Sequence, residues 1–379
     1  MENSPRPVNG IIPPHMAERI LENGTPEQKR KAEAYMRIAG QMRGQRQQLS
    51  ELSKKAQPIV GERVRKVYDA QNGSELPGML VRSEGHAPTD DAAVDEAYEG
   101  SGATYDLYAE VFGRNSIDNQ GMEIRSTVHF MEGYDNAFWN GEQMVYGDGD
   151  EDLPEQERLF NRFTIAIDII AHELSHGVTQ HEANLVYRNQ AGALNESFSD
   201  VFGSLVKQRV KNQRAAEADW LIGEGLFTGN VNAQGIRSMK APGTAYDDPL
   251  LGSDPQPGHM NEYVDTAADN GGVHINSGIP NRAFYQVAFE IGGYAWEKAG
   301  HIWYKTLSEE LNQTSDFQAA ANACHKVAGE LYGKNSVEQK AVYNGWKAVG
   351  IIPAGDQLNG CRGFAGRAWR SIFGSRNAR

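Results

Sequence analysis

The chain has 379 residues, of which 39% are hydrophobic and 23% charged, so it is a globular protein long enough for two domains. Its net charge of −13 argues against nucleic acid as the main partner. No stretch approaches the roughly 18 apolar residues of a membrane span, and the N-terminus lacks the apolar run of a secretory signal. We therefore expect a protein without a transmembrane segment that is cytoplasmic by default, with export by a non-standard route left open.

The charge is uneven along the chain. Residues 1–66 carry 13 Lys and Arg against 7 Asp and Glu, a net +6, which leaves −19 for the remainder. A basic head on an acidic body predicts that the two attract each other, although salt screens this attraction.

Residues 1–60 are predicted to form a separable head. Ile11–Met16 reads IIPPHM, an apolar element that its two prolines predict to be extended. Thr25 and Gln28 then have the spacing of a capping box, which predicts a helix as far as about Met42.

Residues 61–180 are predicted as a mixed lobe with much β structure. Strand-like runs flank the turn signal Asn72-Gly73, and residues 124–130 alternate between two faces as a strand does. The segment 158–180 is apolar nearly all round, which is typical of a buried helix. The lobe should therefore end in a buried helix.

Residues 181–352 are predicted as a helical lobe, and residues 353–379 as a basic tail that is disordered or simply packed. Helical periodicity is present in five segments: Asn195–Lys211, Pro280–Gly292, Ala295–Leu311, Asp316–Leu331 and Val337–Val349.

A motif with metal-binding spacing lies in the buried helix. His172 and His176 are four residues apart, so both imidazoles project from one face and suit two corners of a tetrahedral zinc site. Glu173 lies beside them, where it can act as general base on a metal-bound water. His181 and Glu182 point elsewhere on the helix and are expected at the surface. Taken alone, the HExxH motif arises by chance in about a few per cent of chains of this size.

A catalytic zinc ion needs a third protein ligand and an open fourth position. Glu196 is the candidate, because it opens the next helix and the intervening loop can fold that helix back. Asp200 lies on the same face, where it can hydrogen-bond a zinc-bound histidine from outside. The alternative is that both are ordinary acids at a helix start.

The stretch AHELSHGVTQHEANLVYRNQAGALNESFSDVFG resembles the zinc region of the thermolysin family of metallopeptidases, and its GALNESFSD context is far more specific than HExxH. Tyr134–Asp150, Gly235–Met239 and Asp269–Tyr285 are similar to further active-site segments of that family. The resemblance runs from about Val64 to Ile351. It implies an α+β, thermolysin-like fold with a β-rich N-terminal lobe, a helical C-terminal lobe and the zinc site in the cleft.

The resemblance implies a role for each matching side chain. Glu173 would activate the attacking water, His274 and Tyr187 would donate to the oxyanion, and Asp269 would orient His274. The implied zinc ligands are His172, His176 and Glu196. Asn136 and Ala137 would bind the substrate backbone and Arg237 a substrate carbonyl group. The implied apolar pocket after the cleaved bond consists of Phe160, Phe163, Ile169, Ile222 and Ile236.

Extracellular members of the family bind calcium with acid clusters. Asp168, Asp219 and Glu224 match such a cluster, but Lys207 and Leu221 stand where acids are expected. Because a lysine repels the ion, the pattern argues against a double calcium site, while a single residual Ca²⁺ site stays open.

The head resembles the brief propeptide of the protealysin subgroup, which carries a Pro-Pro motif and covers the active site. The polar stretch 43–60 would then be the region where the enzyme cuts itself. The alternative is that residues 1–60 pack permanently on the body.

We therefore expect a monomeric, zinc-dependent neutral endopeptidase that cleaves peptides or proteins before apolar residues. It would be made as a self-processing precursor, with its own propeptide as intramolecular inhibitor. One alternative is a non-catalytic zinc-binding interaction protein of the same fold. A structural zinc site is a further alternative, but it needs four protein ligands and the stretch supplies three.

Overall fold

The computed structural model describes residues 10–50 and 61–354. Its helices are α1 (Pro14–Asn23), α2 (Pro26–Ser50), α3 (Ala92–Asp106), α4 (Ile167–His181), α5 (Asn189–Val210), α6 (Asp269–Asn276), α7 (Gly278–Ile291), α8 (Lys298–Lys305), α9 (Phe317–Tyr332) and α10 (Val337–Ala348). Its longer strands are β1 (Arg65–Asp69), β2 (Met79–Ser83), β3 (Ile124–Val128), β4 (Ala137–Trp139) and β5 (Met144–Tyr146). Two-residue strands follow: β6 (Leu221–Ile222), β7 (Arg237–Ser238), β8 (Asp247–Asp248) and β9 (Gly252–Ser253).

The longer strands form one mixed sheet in the order β2-β1-β3-β5-β4. β3 runs parallel to β1 and β5, whereas β2 and β4 are antiparallel edge strands. The alternation predicted for this region is only partly present: Ile124, Ser126 and Val128 are buried and Arg125 is exposed, but Thr127 is buried as well. As an edge strand, β4 can bind a further extended segment along its outer side.

α4 packs along α5, and the two helices carry the metal-binding motif and its predicted partner. A Cβ atom at Gly203 would lie 2.6 Å from the carbonyl oxygen of Asp168 and 3.4 Å from the Cβ of His172. Only glycine therefore lets α5 approach the motif this closely without displacing a backbone.

The helix predicted from residue 158 is wrong over its first turns, because α4 begins at Ile167. The amides of Leu159 and Phe160 donate to Oδ2 of Asp150 at 2.7 and 3.0 Å, and Phe160 forms a β-bridge with Phe227. A helix beginning at residue 158 would need the carbonyl groups of Leu159 and Phe160 for its own hydrogen bonds. They accept the amides of Thr228 and Asp150 instead, at 2.9 and 3.0 Å, which local periodicity does not report.

The second lobe is helical as predicted. The five predicted segments appear in α5 and in α7 to α10, and α8 continues into a π-helical turn at Thr306–Glu310. Trp303 and Trp346 stack in the core between these helices, with ring centroids 6.2 Å apart. The predicted α+β class is confirmed. Within the residues that the structure describes, no helix is both long and apolar enough to span a bilayer.

The head consists of a short apolar segment followed by α1 and α2. The capping box is confirmed: the Thr25 amide donates to Oε1 of Gln28 at 2.8 Å, and the Gln28 amide donates to Oγ1 of Thr25 at 3.3 Å. Two predictions need correction. The Pro-Pro element is extended only to Pro13, because Pro14 begins α1, a position where its missing N–H costs nothing. α2 also continues to Ser50 rather than ending near Met42.

Candidate active site

His172 and His176 on α4 point their Nε2 atoms at one another across 3.0 Å. Each imidazole is fixed through its other nitrogen atom. Nδ1 of His172 hydrogen-bonds Oδ1 of Asp200 at 2.8 Å, and Nδ1 of His176 hydrogen-bonds Oδ1 of Asn195 at 2.8 Å. A carboxylate and an amide oxygen only accept, so both Nδ1 atoms carry protons and both Nε2 lone pairs face the same point. Two lone pairs converge in this way where a cation can lie between them.

Glu196 on α5 completes this group. Its carboxylate oxygens lie 3.5 Å from Nε2 of His172 and 3.4 Å from Nε2 of His176. Metal–ligand bonds of 2.0–2.1 Å in a tetrahedron separate the ligand atoms by about 3.4 Å. Oε2 of Glu196 is buried with no hydrogen-bond partner among residues 10–50 and 61–354. The two imidazoles and the carboxylate therefore fit a zinc ion.

Electrostatic contacts keep the acids of this group ionised. Burial alone would raise the pKa of Glu196, but attraction by His274 and His176 holds that pKa well below its ordinary value. Burial likewise opposes ionisation of Asp200, yet Arg237 and His172 lower the pKa of Asp200 to about 2.

Glu173 lies next to the histidines, on the side of β4. Its Oε2 accepts a hydrogen bond from the Trp139 amide at 2.9 Å, and the side chain is buried. One ligand atom from each of His172, Glu173 and His176 lies within 4.8 Å of the others. An edge-strand amide therefore positions the carboxylate beside the two histidines that could hold a metal ion.

Tyr187 and His274 form the opposite wall. The Tyr187 hydroxyl lies 3.1 Å from Nε2 of His274 and also bonds Oε1 of Glu196. Nδ1 of His274 bonds Oδ1 of Asp269 at 2.7 Å, while Oδ2 of the same carboxylate accepts the His274 amide at 2.8 Å. Burial opposes the charged imidazole, but Asp269 and Glu196 outweigh burial and raise the pKa of His274.

The turn that presents His274 requires glycine. Asp269 and Asn270, followed by Gly271 and Gly272, all have positive φ angles. A Cβ at Gly271 would lie 2.1 Å from Oδ1 of Asn189. The DNGG sequence therefore permits a left-handed run that places the Asp269 carboxylate under the ring of His274.

Arg237 is buried on β7 and bonds both carboxylate oxygens of Asp200, at 2.7 and 2.8 Å. Asn281 adds a third bond to Asp200, at 2.8 Å. Asp200 thus connects His172 with Arg237. Asn195 and Asn281 were missed by sequence reasoning. The position of Asn195, directly before Glu196, was a signal for the first of them, whereas Asn281 comes from a different helix.

The predicted apolar pocket residues are all buried in the main core. The Cδ1 atoms of Ile169 and Ile236 lie 3.6 and 3.0 Å from the Cβ position of Gly223, so these two side chains meet there. Ile222 pairs with Arg237 across β6 and β7. The rings of Phe160 and Phe163 pack against one another, with their centroids 5.8 Å apart.

The head lies along β4 as an additional strand-like segment. The Ile11 amide donates to the Ala137 carbonyl at 3.1 Å, and the Ile12 amide donates to Oδ1 of Asn136 at 3.1 Å. Arg237 donates to the Ile11 carbonyl at 3.4 Å. Residues predicted to bind substrate therefore bind the chain's own head.

The residues considered for calcium surround a lysine instead. Nζ of Lys207 lies 2.9 Å from Oδ1 of Asp219 and 3.4 Å from Oδ2 of Asp168. It also lies 3.3 Å from Oε2 of Glu224 and donates to the Leu221 carbonyl at 3.2 Å. Burial disfavours the ammonium charge, but attraction by Asp168 and Asp219 outweighs it and raises the pKa of Lys207. The ammonium group stands at the centre of the acid cluster.

The prediction that His181 and Glu182 are surface residues is wrong. His181 is half-buried, and Glu182 pairs with Arg114, whose side chain is fully buried and also bonds the Ile117 carbonyl at 2.6 Å. Arg114 needs a counter-charge that a local reading of the sequence does not reveal.

A metal-binding group between a β-rich and a helical lobe defines a two-lobed metallopeptidase. The chain belongs to the thermolysin family. Residues 30–180 match the family described as "Thermolysin metallopeptidase, catalytic domain", and residues 183–351 match "Thermolysin metallopeptidase, alpha-helical domain".

Known relatives agree with this assignment. The chain is 49% identical to an extracellular metalloprotease of Pectobacterium carotovorum, over 91% of this chain and 97% of the relative. It is 52% identical to protease PrtS of Photorhabdus, over 76% of each. The structure of the precursor of protealysin, a metalloproteinase from Serratia proteamaculans, superposes with a TM-score of 0.81 at 50% identity, covering 91% of this chain and all of the other.

These comparisons correct the expected location. A cytoplasmic protein was expected, but the Pectobacterium relative is named as extracellular, so that expectation is wrong. The cytoplasmic default carries no weight against a relative that matches nearly end to end.

Proposed function

We propose that this metallopeptidase is a zinc-dependent neutral endopeptidase, with His172, His176 and Glu196 as the zinc ligands. The convergence of two imidazole lone pairs and a buried carboxylate on one point carries this proposal. Bound zinc would polarise the substrate carbonyl and lower the pKa of a water molecule to about 7.

Glu173 is the general base of the proposed reaction. Its carboxylate lies next to the histidines and accepts the Trp139 amide, so it is fixed in position. It takes the proton of the attacking water and passes it to the leaving amine, as a carboxylate of this kind does in general acid–base catalysis.

His274 and Tyr187 are the donors to the developing oxyanion. Because Asp269 accepts the proton on Nδ1 and favours the charged ring, Nε2 of His274 is a donor. Each such donor typically contributes a factor of about 100 or more to the rate. Asp269 acts through His274 by orienting its ring.

The head indicates how a substrate would bind. A substrate residue in the place of Ile11 would bond the Ala137 carbonyl and Arg237, and the next residue would bond Asn136. Ile222 pairs with Arg237 across β6 and β7, and Ile236 directly precedes Arg237, so two residues of the predicted apolar pocket lie beside this arginine. We propose that the enzyme prefers apolar residues there, with about 1–3 kcal/mol of discrimination per methylene.

We further propose that the chain is a self-processing precursor whose head is an intramolecular inhibitor. Ile11 and Ile12 use the hydrogen-bonding groups that a substrate needs, so head and substrate exclude one another.

Hydrolysis of a quenched apolar peptide tests the activity. After removal of the head, the wild-type chain should cleave the peptide, and a chelator should abolish cleavage until zinc is restored. Glu173→Ala should keep its zinc and lose activity. A chain that holds zinc but never cleaves would favour a non-catalytic interaction protein instead.

A further inference from the structure

A second cluster of acidic groups lies where α2 of the head meets the body. Nζ of Lys31 is 2.9 Å from Oδ1 of Asp150, 2.5 Å from Oδ1 of Asp152 and 3.9 Å from Oδ1 of Asp135. It also donates to the Gly149 carbonyl at 3.2 Å. The Lys31 side chain is 1% exposed, so this ammonium group is enclosed by four oxygen atoms of the body.

The body builds this cage without help from the head. The second oxygen of Asp150, Oδ2, accepts the amides of Leu159 and Phe160, so residues of the body fix this carboxylate in position. Asp135 is 9% exposed, and its Oδ1 faces the ammonium but has no hydrogen-bond partner in the described parts of the chain. The cage therefore contains a buried acceptor that Lys31 does not fully satisfy.

The charges do not balance around Lys31. Three carboxylates face one ammonium, and burial together with the neighbouring Asp150 raises the pKa of Asp135 well above its ordinary value. If the head leaves, the carboxylates would face each other without a cation, which is costly in a desolvated place. Three carboxylates and one backbone carbonyl are the hard oxygen ligands that calcium prefers.

We propose that Asp135, Asp150, Asp152 and the Gly149 carbonyl form a calcium site that the Lys31 ammonium fills in the precursor. The metal site itself is independent of proteolysis, and only its filling after head removal rests on the proposed function. Since Lys31 and calcium occupy one position, they exclude each other. By linkage, calcium at 100 times its dissociation constant would weaken head binding about a hundredfold.

The test uses the full-length chain with Glu173→Ala, so that the head stays attached. Adding Lys31→Ala empties the cage, and calorimetric titration with calcium chloride should then show one more bound calcium ion than the parent. Calcium should also raise the melting temperature of this variant but not of the parent. Asp152→Asn in the Lys31→Ala background should remove both effects.

Arg30→Ala is the matched control, because Arg30 is the adjacent cation on α2 but is exposed and paired with Glu27. It should bind no additional calcium. If Lys31→Ala binds no more calcium than the parent, or if Asp152→Asn leaves the additional binding intact, the site does not exist. A head that detaches in Lys31→Ala leaves the test valid, since the cage belongs to the body. Zinc content and peptide hydrolysis are measured separately, so failure of this site leaves the protease proposal standing.

Discussion

At the scale of single residues, the site depends on side chains that are fixed by partners outside it. Asp200 is the clearest case: it bonds His172, Arg237 and Asn281 at once. One carboxylate thus sets both the tautomer of a proposed zinc ligand and the position of a proposed substrate-binding arginine. Losing such an outer partner typically costs about 10–100-fold in metal affinity.

Loss of a proposed ligand should cost more than that. Glu196→Gln replaces an anionic donor that faces both Nε2 atoms, so we expect zinc affinity to fall by more than about 100-fold. His181→Ala should leave zinc content unchanged, because His181 lies at the end of α4 and takes no part in the group. Metal analysis after dialysis measures both, and equal zinc loss in the two variants would contradict the ligand assignment.

At the scale of elements, Gly203 tests the close packing of α4 on α5. In Gly203→Ala the added Cβ must displace a backbone oxygen of Asp168, which is not the flexible end of a side chain. Overpacking of this kind typically costs about 1–3 kcal/mol, and it should also separate Glu196 from the histidines. We expect a lower melting temperature together with weaker zinc binding.

Gly229→Ala is the matched control, since nothing lies within 4 Å of its Cβ position. It should leave both quantities unchanged. A fully stable, zinc-loaded Gly203→Ala variant would mean that the helices can separate without cost.

The N-terminus of α3 should give stability a pH dependence. His129 bonds Asp148 at 2.8 Å and the α3 capping residue Asp91 at 2.8 Å. The hydrogen bond with Asp148, supported by Asp91, raises the pKa of His129 from 6.5 to about 9. The free energy that charged His129 contributes to folding is fully present below pH 6.5 and is lost as the pH rises through about 9.

In the Glu173→Ala background, we expect the unfolding free energy to fall by about 1–2 kcal/mol across that interval, allowing for solvent screening. Urea unfolding at several pH values measures it. His129→Gln should flatten the profile, whereas His301→Gln should not, because burial lowers the pKa of His301. A profile of the Glu173→Ala parent that is flat between pH 6.5 and 9 would contradict the assignment.

Local patterns predicted the elements well where the local hydrogen bonds are kept. The capping box at Thr25 and the periodic segments of the second lobe are examples. Predictions failed where distant partners compete. The amides of Thr228 and Asp150 bond the carbonyl groups of Leu159 and Phe160 that a helix would have used, and Arg114 pairs with Glu182. The motif located His172 and His176, but no local signal joined Lys31 to Asp150, which lies 119 residues away.

At the scale of the whole molecule, two lysines, Lys31 and Lys207, each occupy the centre of a cluster of acidic groups. For Lys207, the consequence is that the full-length Glu173→Ala chain should gain no thermal protection from millimolar calcium. A ligand at 100 times its dissociation constant would add about 2.7 kcal/mol and raise the melting temperature by several degrees. Lys207→Ala should make calcium stabilising, because it frees the oxygens of Asp168 and Asp219. A rise in the melting temperature of the parent chain with calcium would show that calcium displaces one of these lysines.

In the proposed precursor, the head determines whether the whole molecule is active. Its basic charge faces an acidic body, and its Ile11 and Ile12 hold the groups proposed to bind substrate. The proposed cleavage stretch, residues 43–60, begins on α2, and its part 51–60 lies outside the described residues. Its Leu49, Leu52, Ile59 and Val60 offer apolar residues to the pocket after the cleaved bond.

We therefore expect Glu173→Ala to purify at full length, while the wild-type chain loses its head during expression or storage. A trace of processed enzyme added to Glu173→Ala should trim it within residues 43–60, as mass spectrometry would show. Ile11→Asp should speed this trimming, because an aspartate in the place of a fully buried isoleucine weakens the hold of the head. The exposed control Arg30→Ala should trim at the parent rate. Wild-type protein that stays intact and is fully active while intact would mean that the head is a permanent part of the fold, because a segment that fills the substrate position cannot leave it open to substrate.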